Sequence, residues 1–319
     1  MVFKLGGSVL SDIDELESVA KKISQYIANT KSDTNELPVI AISAFKNHTD
    51  NLLNMTKRFS QRDFANSHQD LAHQAISFVS TTGEQVSAGL FALALQKYGI
   101  RAQAFAGWQL PIIFVNNEVQ VEKQKIQAAI ASGCVPVVAG FQGVDEDGRI
   151  CDLGRGGTDL TAMCLAQVMD RDCVLLKKSS GVCSADPDLI NDCFVWPKIG
   201  YDNLIHLAQA GSRIVQKDAM QVAKKHGIRL KVAGMDFVSG SILQVQTEVV
   251  ASDTDFWSVF EFDHKLRVVS NKRFDQLLEQ GFKFVEDGAY YQFEKPYFDM
   301  QVEARKVYAF CKEKLGAIA

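Results

Sequence analysis

Short apolar runs alternate with longer stretches of helical period along most of this chain. Candidate buried strands fall at 2–5, 38–43, 102–106, 135–140, 173–177 and 230–232, each closed by glycine, polar residues or a turn. Between them, the spacing of apolar residues predicts helices over 12–29, 67–97 with a break near Thr82-Gly83, 121–132, 158–169, 201–210 and 218–226. Strands that are apolar throughout, separated by helices, are how parallel strands covered on both faces read in sequence. The expected fold class is therefore α/β, with a doubly wound and mainly parallel sheet.

The pattern changes after about Ser252. Aromatic-rich runs at 257–262, 265–269 and 290–293 read as strands, and 272–280 and 302–315 read as helices, which together predict a small C-terminal α/β appendage. Two regions are expected, a main domain over 1–250 and an extension over 253–319. Neither an internal repeat nor a low-complexity linker separates them.

Composition narrows the class. A chain of 319 residues, 47% hydrophobic and 23% charged, can bury a full core and is not a disordered composition. A formal net charge of −4 gives no basic field for nucleic acid, so no nucleic-acid partner is expected. Seven cysteines without a C-x-x-C pair read as reduced thiols, and six histidines show no zinc-ligand spacing, so no protein-held metal is expected. The opening Met1-Val2-Phe3-Lys4-Leu5-Gly6-Gly7 lacks the pattern of a secretion signal, and no apolar run approaches the ~20 residues of a membrane span. The expectation is a cytoplasmic protein with no membrane association.

Three segments could carry chemistry. Lys4-Leu5-Gly6-Gly7-Ser8 ends a strand just before a helix; its glycines let backbone amides approach a phosphate, the helix start favours an anion, and the lysine supplies a positive charge. An ordinary strand-to-helix turn is the competing account, and no Walker A loop occurs in the chain. Gly154-Arg155-Gly156-Gly157-Thr158-Asp159 offers an arginine able to clamp a carboxylate, glycine amides for an anion, and an acid that either orients a lysine or serves the helix start. Thr82-Gly83-Glu84 opens a helix, where Glu84 is either a first-turn acid or the partner of a substrate ammonium. Ser43-Ala44 and Thr49-Asp50 are turn residues or substrate contacts on the same terms.

Taken together, these segments in this order resemble the aspartokinase catalytic domain of the amino-acid kinase family, over roughly residues 1–235. The pairing of Gly83-Glu84-Gln85-Val86-Ser87-Ala88 with Gly154-Arg155-Gly156-Gly157-Thr158-Asp159 carries most of the likeness, supported by Thr49-Asp50-Asn51-Leu52-Leu53 and Val182-Cys183-Ser184-Ala185-Asp186-Pro187. The resemblance implies a sheet of the amino-acid kinase type and an ATP-dependent aspartate kinase. Its reaction would be γ-phosphoryl transfer to the β-carboxylate of L-aspartate, as in lysine biosynthesis, with Mg²⁺ carried on the nucleotide. It implies Lys4 and Asp159 as catalytic residues and Gly6, Gly7 and Ser8 along the phosphate path. Ser43, Thr49, Glu84, Arg155 and Gly156 would bind aspartate, and Lys177, Lys178, Gly181, Asp186 and Arg213 the nucleotide.

The match changes character at the nucleotide loop. Aspartokinases usually read Thr-Asp-Val-Asp-Gly-Val-Tyr-Thr-Ala-Asp-Pro-Arg there, whereas this chain reads Lys177-Lys178-Ser179-Ser180-Gly181-Val182-Cys183-Ser184-Ala185-Asp186-Pro187-Asp188. The tail is too short for the two ACT modules that commonly follow, which leaves a degenerate regulatory module or a dimerisation element. A homodimer is the expected assembly. Another carboxylate or carbamate acceptor, or a catalytically silent homologue, remains open at this point.

Overall fold

The computed structural model describes residues 1–30, 36–59, 69–110, 112–115, 118–154, 156–235, 237–238, 241–242, 246–252, 255–270, 277, 282–285, 290–293 and 300–315. They form two compact units, 1–178 with 235–244, and 179–234 with 245–319.

The first unit is built on five parallel strands in the order β9-β1-β2-β6-β3. These are β1 (Val2–Leu5), β2 (Val39–Ile42), β3 (Ala102–Phe105), β6 (Val135–Ala139) and β9 (Cys173–Lys177); between them lie two small antiparallel hairpins, β4 (Ile113–Val115) with β5 (Glu118–Gln120) and β7 (Gln142–Val144) with β8 (Ile150–Asp152). Every residue of β1, β2, β6 and β9 is buried, so the sheet is covered on both faces as the apolar runs require. Helices α1 (Ile13–Thr30), α2 (His48–Lys57), α3 (Gln69–Ser80), α4 (Thr82–Lys97), α5 (Gln124–Ala131) and α6 (Gly157–Met169) connect the strands. α1 buries Leu16, Val19, Ala20, Ile23 and Ile27 at helical spacing. α6 has no polar face in its first ten residues, because Gly157 through Ala166 are all buried. After β1 the chain builds one side of the sheet with β2, β3 and β6, β6 lying between the other two, and later returns to the other side as β9. β1 is therefore the point where strand order reverses, and in open α/β sheets ligands bind beyond the carboxyl ends of the strands at such a point.

The helical stretch predicted over 67–97 with a break near Thr82-Gly83 is, in the described part, two helices that meet at Thr81. α2 was read from sequence only as turn residues, since it buries no residue completely and leaves Met55 exposed, so it shows no clear apolar face.

The second unit contains β10 (Lys198–Gly200), α7 (Tyr201–Gln209), α8 (Lys217–His226) and β11 (Leu230–Gly234); the chain then revisits the first unit in a two-stranded ribbon, β12 (Phe237–Val238) and β13 (Ser241–Ile242), and re-enters as β14 (Gln246–Val250). β14 lies between β10, to which it is parallel, and β11, to which it is antiparallel. The tail supplies an antiparallel sheet of β15 (Trp257–Phe262), β16 (Lys265–Ser270), β18 (Tyr290–Phe293) and β17 (Phe282–Val285), in that order, and helix α9 (Met300–Leu315). The helix predicted at 272–280 lies, apart from Leu277, outside the described residues. β17 was not anticipated, because only Phe282 of its four residues is buried.

The 182–196 segment packs on this tail sheet. Asp186 N donates to Val259 O at 2.9 Å, Val259 N to Ser184 O at 3.1 Å, and Trp196 Nε1 to Trp257 O at 3.0 Å. Phe194, Trp196 and Trp257 stack edge to face around those bonds.

Candidate functional site

The first unit gathers its buried charges where β1 ends. Lys4 is the one charged residue of that strand and is only 6% exposed. Its Nζ lies 2.6 Å from Asp159 Oδ1. The ammonium folds back over Gly6 so closely that a Cβ there would meet Nζ at 2.8 Å, which makes glycine a requirement of the arrangement. Asp159 sits in the first turn of α6, whose start is set by Gly156 in the left-handed conformation at φ 76°. At the end of β6, Gly140 leaves room for Thr158, whose Cγ2 would lie 2.5 Å from a Cβ at that position. Together these glycines let α6 bring Asp159 to Lys4.

Lys177 joins this cluster. It is the last residue of β9, and the parallel register that sets Leu176 beside Leu5 carries it to the same end of the sheet. Burial pushes its ammonium down to about 8, opposed by the Asp159 carboxylate and assisted by the Lys4 charge. Two buried lysines thus share one buried carboxylate. Such a cluster favours a further anion, because the surplus positive charge is costly away from water.

Glu84 forms the neighbouring feature. Gly83, whose Cβ would lie 2.9 Å from that of Ala44, lets α4 approach the turn after β2. Glu84 is 3% exposed, and its Oε1 accepts from Ala44 N at 3.2 Å and from Thr49 Oγ1 at 3.4 Å. Its Oε2 is buried with no hydrogen-bond partner among the described residues. Burial raises this carboxyl from 4.5 to about 7, against the hydrogen bonds from Ala44 and Thr49. The two features are linked through the backbone: Ser43 N donates to Leu5 O at 2.9 Å, and a Cβ on Gly7 would lie 3.3 Å from Ala44 O.

Ser8 is exposed in a single 3-10 turn, Gly7–Val9, that precedes α1. α1 itself starts only at Ile13, where Asp12 accepts from Glu15 N at 2.8 Å and Glu15 from Ser11 N at 2.6 Å. That capping box occupies the helix end with its own carboxylates, so the anion-attracting groups near Gly6 and Gly7 are Lys4 and the turn amides rather than the α1 dipole. Arg155 lies outside the described residues.

The residues predicted for the nucleotide part company. Lys177 belongs with Lys4 and Asp159, while Lys178 is exposed and 3.7 Å from Glu15 in the same unit. Gly181, Asp186 and Arg213 belong to the second unit. Gly181 is packed against Val195 and Thr247, Asp186 caps its own turn by accepting from Asp188 N at 3.0 Å, and Arg213 is exposed. Sequence reasoning assigned Lys177 to the nucleotide alone; its place beside Lys4 depends on β9 pairing with β1, a contact between residues far apart in the chain. A surface depression of about 380 Å³ lined by Gln103, Phe105, Gln109, Lys125 and Ser132 includes none of these residues. Among the described residues no three His, Cys, Asp or Glu side chains are grouped to hold a metal ion, and no helix is long and apolar enough to cross a membrane.

The likeness to known proteins spans the same stretch of chain as the glycine-rich motifs. The sequence pattern of the amino acid kinase family matches residues 1–234. An aspartokinase of Bacillus sp. (strain MGA3) is 32% identical over 251 residues, 76% of this chain and 58% of the relative, and an aspartate kinase of Pseudomonas fluorescens is 32% identical over 238 residues, 73% and 55% respectively. The chain thus spans less than two thirds of the curated relatives it matches. Among solved structures, the aspartate kinase from Synechocystis is 26% identical with a TM-score of 0.63, covering 81% of this chain and 40% of that one. E. coli aspartokinase III, in complex with aspartate and ADP, shares the fold at 16% identity and a TM-score of 0.64, over 94% of this chain and 80% of that one.

Proposed function

The chain belongs to the amino acid kinase family, and from that premise we propose that it is an aspartate kinase, moving the γ-phosphoryl group of ATP to the β-carboxylate of L-aspartate. The observation that carries this reading is the buried cluster of Lys4, Asp159 and Lys177, two cations around one carboxylate at the reversal point of the sheet. A transferring phosphoryl group supplies the missing negative charge. Phosphoryl transfer asks the protein mainly for positioning and charge neutralisation, and a carboxylate acceptor is already a nucleophile at neutral pH, so no general base is needed.

In this scheme Lys4 and Lys177 neutralise charge on the moving group, and Asp159 keeps both ammoniums in place. Gly6, Gly7 and Ser8 line the phosphate path. Glu84 takes the substrate ammonium on Oε2, which has no hydrogen-bond partner among the described residues, with Ser43 and Thr49 as further polar contacts and Arg155 and Gly156 on the α-carboxylate. A substrate lacking the ammonium would leave a desolvated carboxylate unpaired, which is the physical basis of amino-acid selectivity. Lys178, Gly181, Asp186 and Arg213 are proposed on the nucleotide side. The E. coli relative binds aspartate and ADP, the acceptor and the spent nucleotide of the reaction proposed here. Mg²⁺ is proposed to arrive on the nucleotide phosphates, since the described residues offer no cage for it, and no step is routed through it.

Residues 1–250 are proposed as the catalytic domain and 253–319 as its extension, in a cytoplasmic homodimer serving lysine biosynthesis. The test is acyl-phosphate formation from Mg-ATP and L-aspartate, trapped as the hydroxamate. Product that is lost with Lys4→Ala supports the reading. A folded chain that forms no hydroxamate with any nucleotide would overturn it.

A further inference from the structure

Seven cysteines sort into distinct environments. Cys164, Cys173 and Cys311 are buried, and burial pushes their thiols above the ordinary range, which keeps them protonated and unreactive. Cys134, Cys151, Cys183 and Cys193 are half-buried. Cys183 and Cys193 differ from the other two in lying close enough for each to shift the other's titration, while the Cys183 thiol donates to Gly181 O at 3.9 Å.

The backbone explains the contact. Ser184 N donates to Phe194 O and Trp196 N to Val182 O, both at 2.9 Å, and Cys183 faces Val195 across an antiparallel bridge. Cys193 lies two residues from that partner, so the two side chains share one face of the pairing as diagonal neighbours. The neighbouring Cys183 thiol draws Cys193 down to about 7, despite partial burial and the nearby Asp186 carboxylate, while Cys183 moves up. A thiolate at ambient pH beside a protonated thiol is the arrangement of an attacking and a resolving cysteine.

We propose that Cys193 and Cys183 form a peroxide-reactive dithiol that closes into a disulfide. With hydrogen peroxide as the oxidant, the Cys193 sulfur takes one oxygen as the O–O bond breaks, giving the sulfenic acid and one water. Cys183 sulfur then attacks that sulfur, the S–S bond forms, and the hydroxyl leaves with the Cys183 proton as a second water. Two thiols lose two electrons, and one peroxide becomes two waters. Diagonal neighbours in an antiparallel pair stand about 7–8 Å apart, somewhat less between Cβ atoms, whereas disulfide Cβ atoms need about 3.5–4.5 Å, so closure draws the two strands together and pulls the intervening turn, with Asp186, out of its resting shape. Where the kinase reading holds, on which this coupling rests, oxidation raises the KM for ATP.

The full chain, reduced and desalted, is treated with one equivalent of hydrogen peroxide, quenched by alkylation and mapped without reduction, cleaving at Asp186, Asp188 and Asp192 to separate the two cysteines. The expected first product is a 183–193 cross-link that dithiothreitol reverses. Cys183→Ser should stop at a Cys193 sulfenic acid trapped by dimedone, and Cys193→Ser should slow peroxide consumption about tenfold, both variants melting like the parent. Oxidation of Cys134 or Cys151 ahead of this pair, or a Cys193 sulfenic acid that never cross-links in the parent chain, would overturn the proposal. A cross-link in a chain with no kinase activity supports the dithiol and counts against the kinase; an active, cross-linked chain with unchanged KM for ATP sinks the coupling.

Discussion

The cluster at the end of β1 and the 179–196 segment of the second unit treat their polar groups in opposite ways. Among the described residues, the charges around Lys4 are buried beyond what their partners satisfy: two ammoniums for one carboxylate, and at Glu84 an oxygen with no hydrogen bond. In the 179–196 segment Asp186 is used within its own turn, Ser184 reaches Tyr308, and Thr247 holds Val182 and Trp196. Unsatisfied buried charge costs stability in the free protein and is repaid only by a ligand, whereas satisfied polar groups fix a shape. The first region is therefore expected to respond to substitution in its chemistry, and the second in its stability.

The sharpest test of that contrast is Lys4→Ala. Losing a preorganised cation at the transferring group should lower kcat by about 10²–10³-fold, read by the hydroxamate assay. The fold should survive, since Lys177 remains beside the Asp159 carboxylate; a variant that unfolds instead would make Lys4 structural.

Glu84→Gln comes next. The KM for aspartate should rise about 10- to 100-fold, as expected for losing a hydrogen-bonded charge pair, with the KM for ATP unchanged. Stability should move the other way. The folded carboxyl titrates near 7 and the ordinary one at 4.5, so the parent is favoured at low pH and loses that advantage as pH rises from 4.5 through 7. Glutamine avoids this loss, giving roughly 1–3 kcal/mol at pH 8 and nothing at pH 4. Equal melting temperatures at pH 8 would contradict the account of Glu84.

A smaller effect is expected from Lys177. Its proton leaves the free protein near pH 8, so kcat/KM should fall by about tenfold per pH unit above that value. Bound phosphate favours the charged form, so kcat should hold to higher pH. Lys177→Arg keeps the charge at all these values and should remove the alkaline limb. If the limb persists in that variant, Lys177 is not part of the transfer site.

Much of this was legible in the sequence, though unevenly. The apolar runs located every strand of the parallel sheet, four of them because every residue is buried, and Lys4, Glu84 and Asp159 stood out beside glycines that the structure uses for close approach. The three-residue strands gave too short a pattern to register, and α2 hid because it completes no buried face. Lys177 was visible as a lysine at a strand end, but its partners depend on strand order, which no local pattern specifies. The docking of 182–196 on β15 was illegible for the same reason: its bonds join residues about seventy positions apart.

The gentlest substitution probes the satisfied region. Thr247 is fully buried; its Oγ1 accepts from Val182 N at 2.8 Å and donates to Trp196 O at 2.6 Å. Thr247→Val keeps the shape and removes the hydroxyl, leaving a buried N–H and a buried C=O unpaired at a cost of about 1–3 kcal/mol. For a chain of this size that lowers the melting temperature by a few degrees, at roughly 2–4 °C per kcal/mol. Well below that temperature kcat should equal the parent's, and the KM for ATP should change by no more than about threefold, since the remaining contacts of the loop still hold its shape. A kcat loss approaching that of Lys4→Ala would mean that the two regions are not separable, and that the hydroxyl of Thr247 acts on the chemistry rather than on the scaffold.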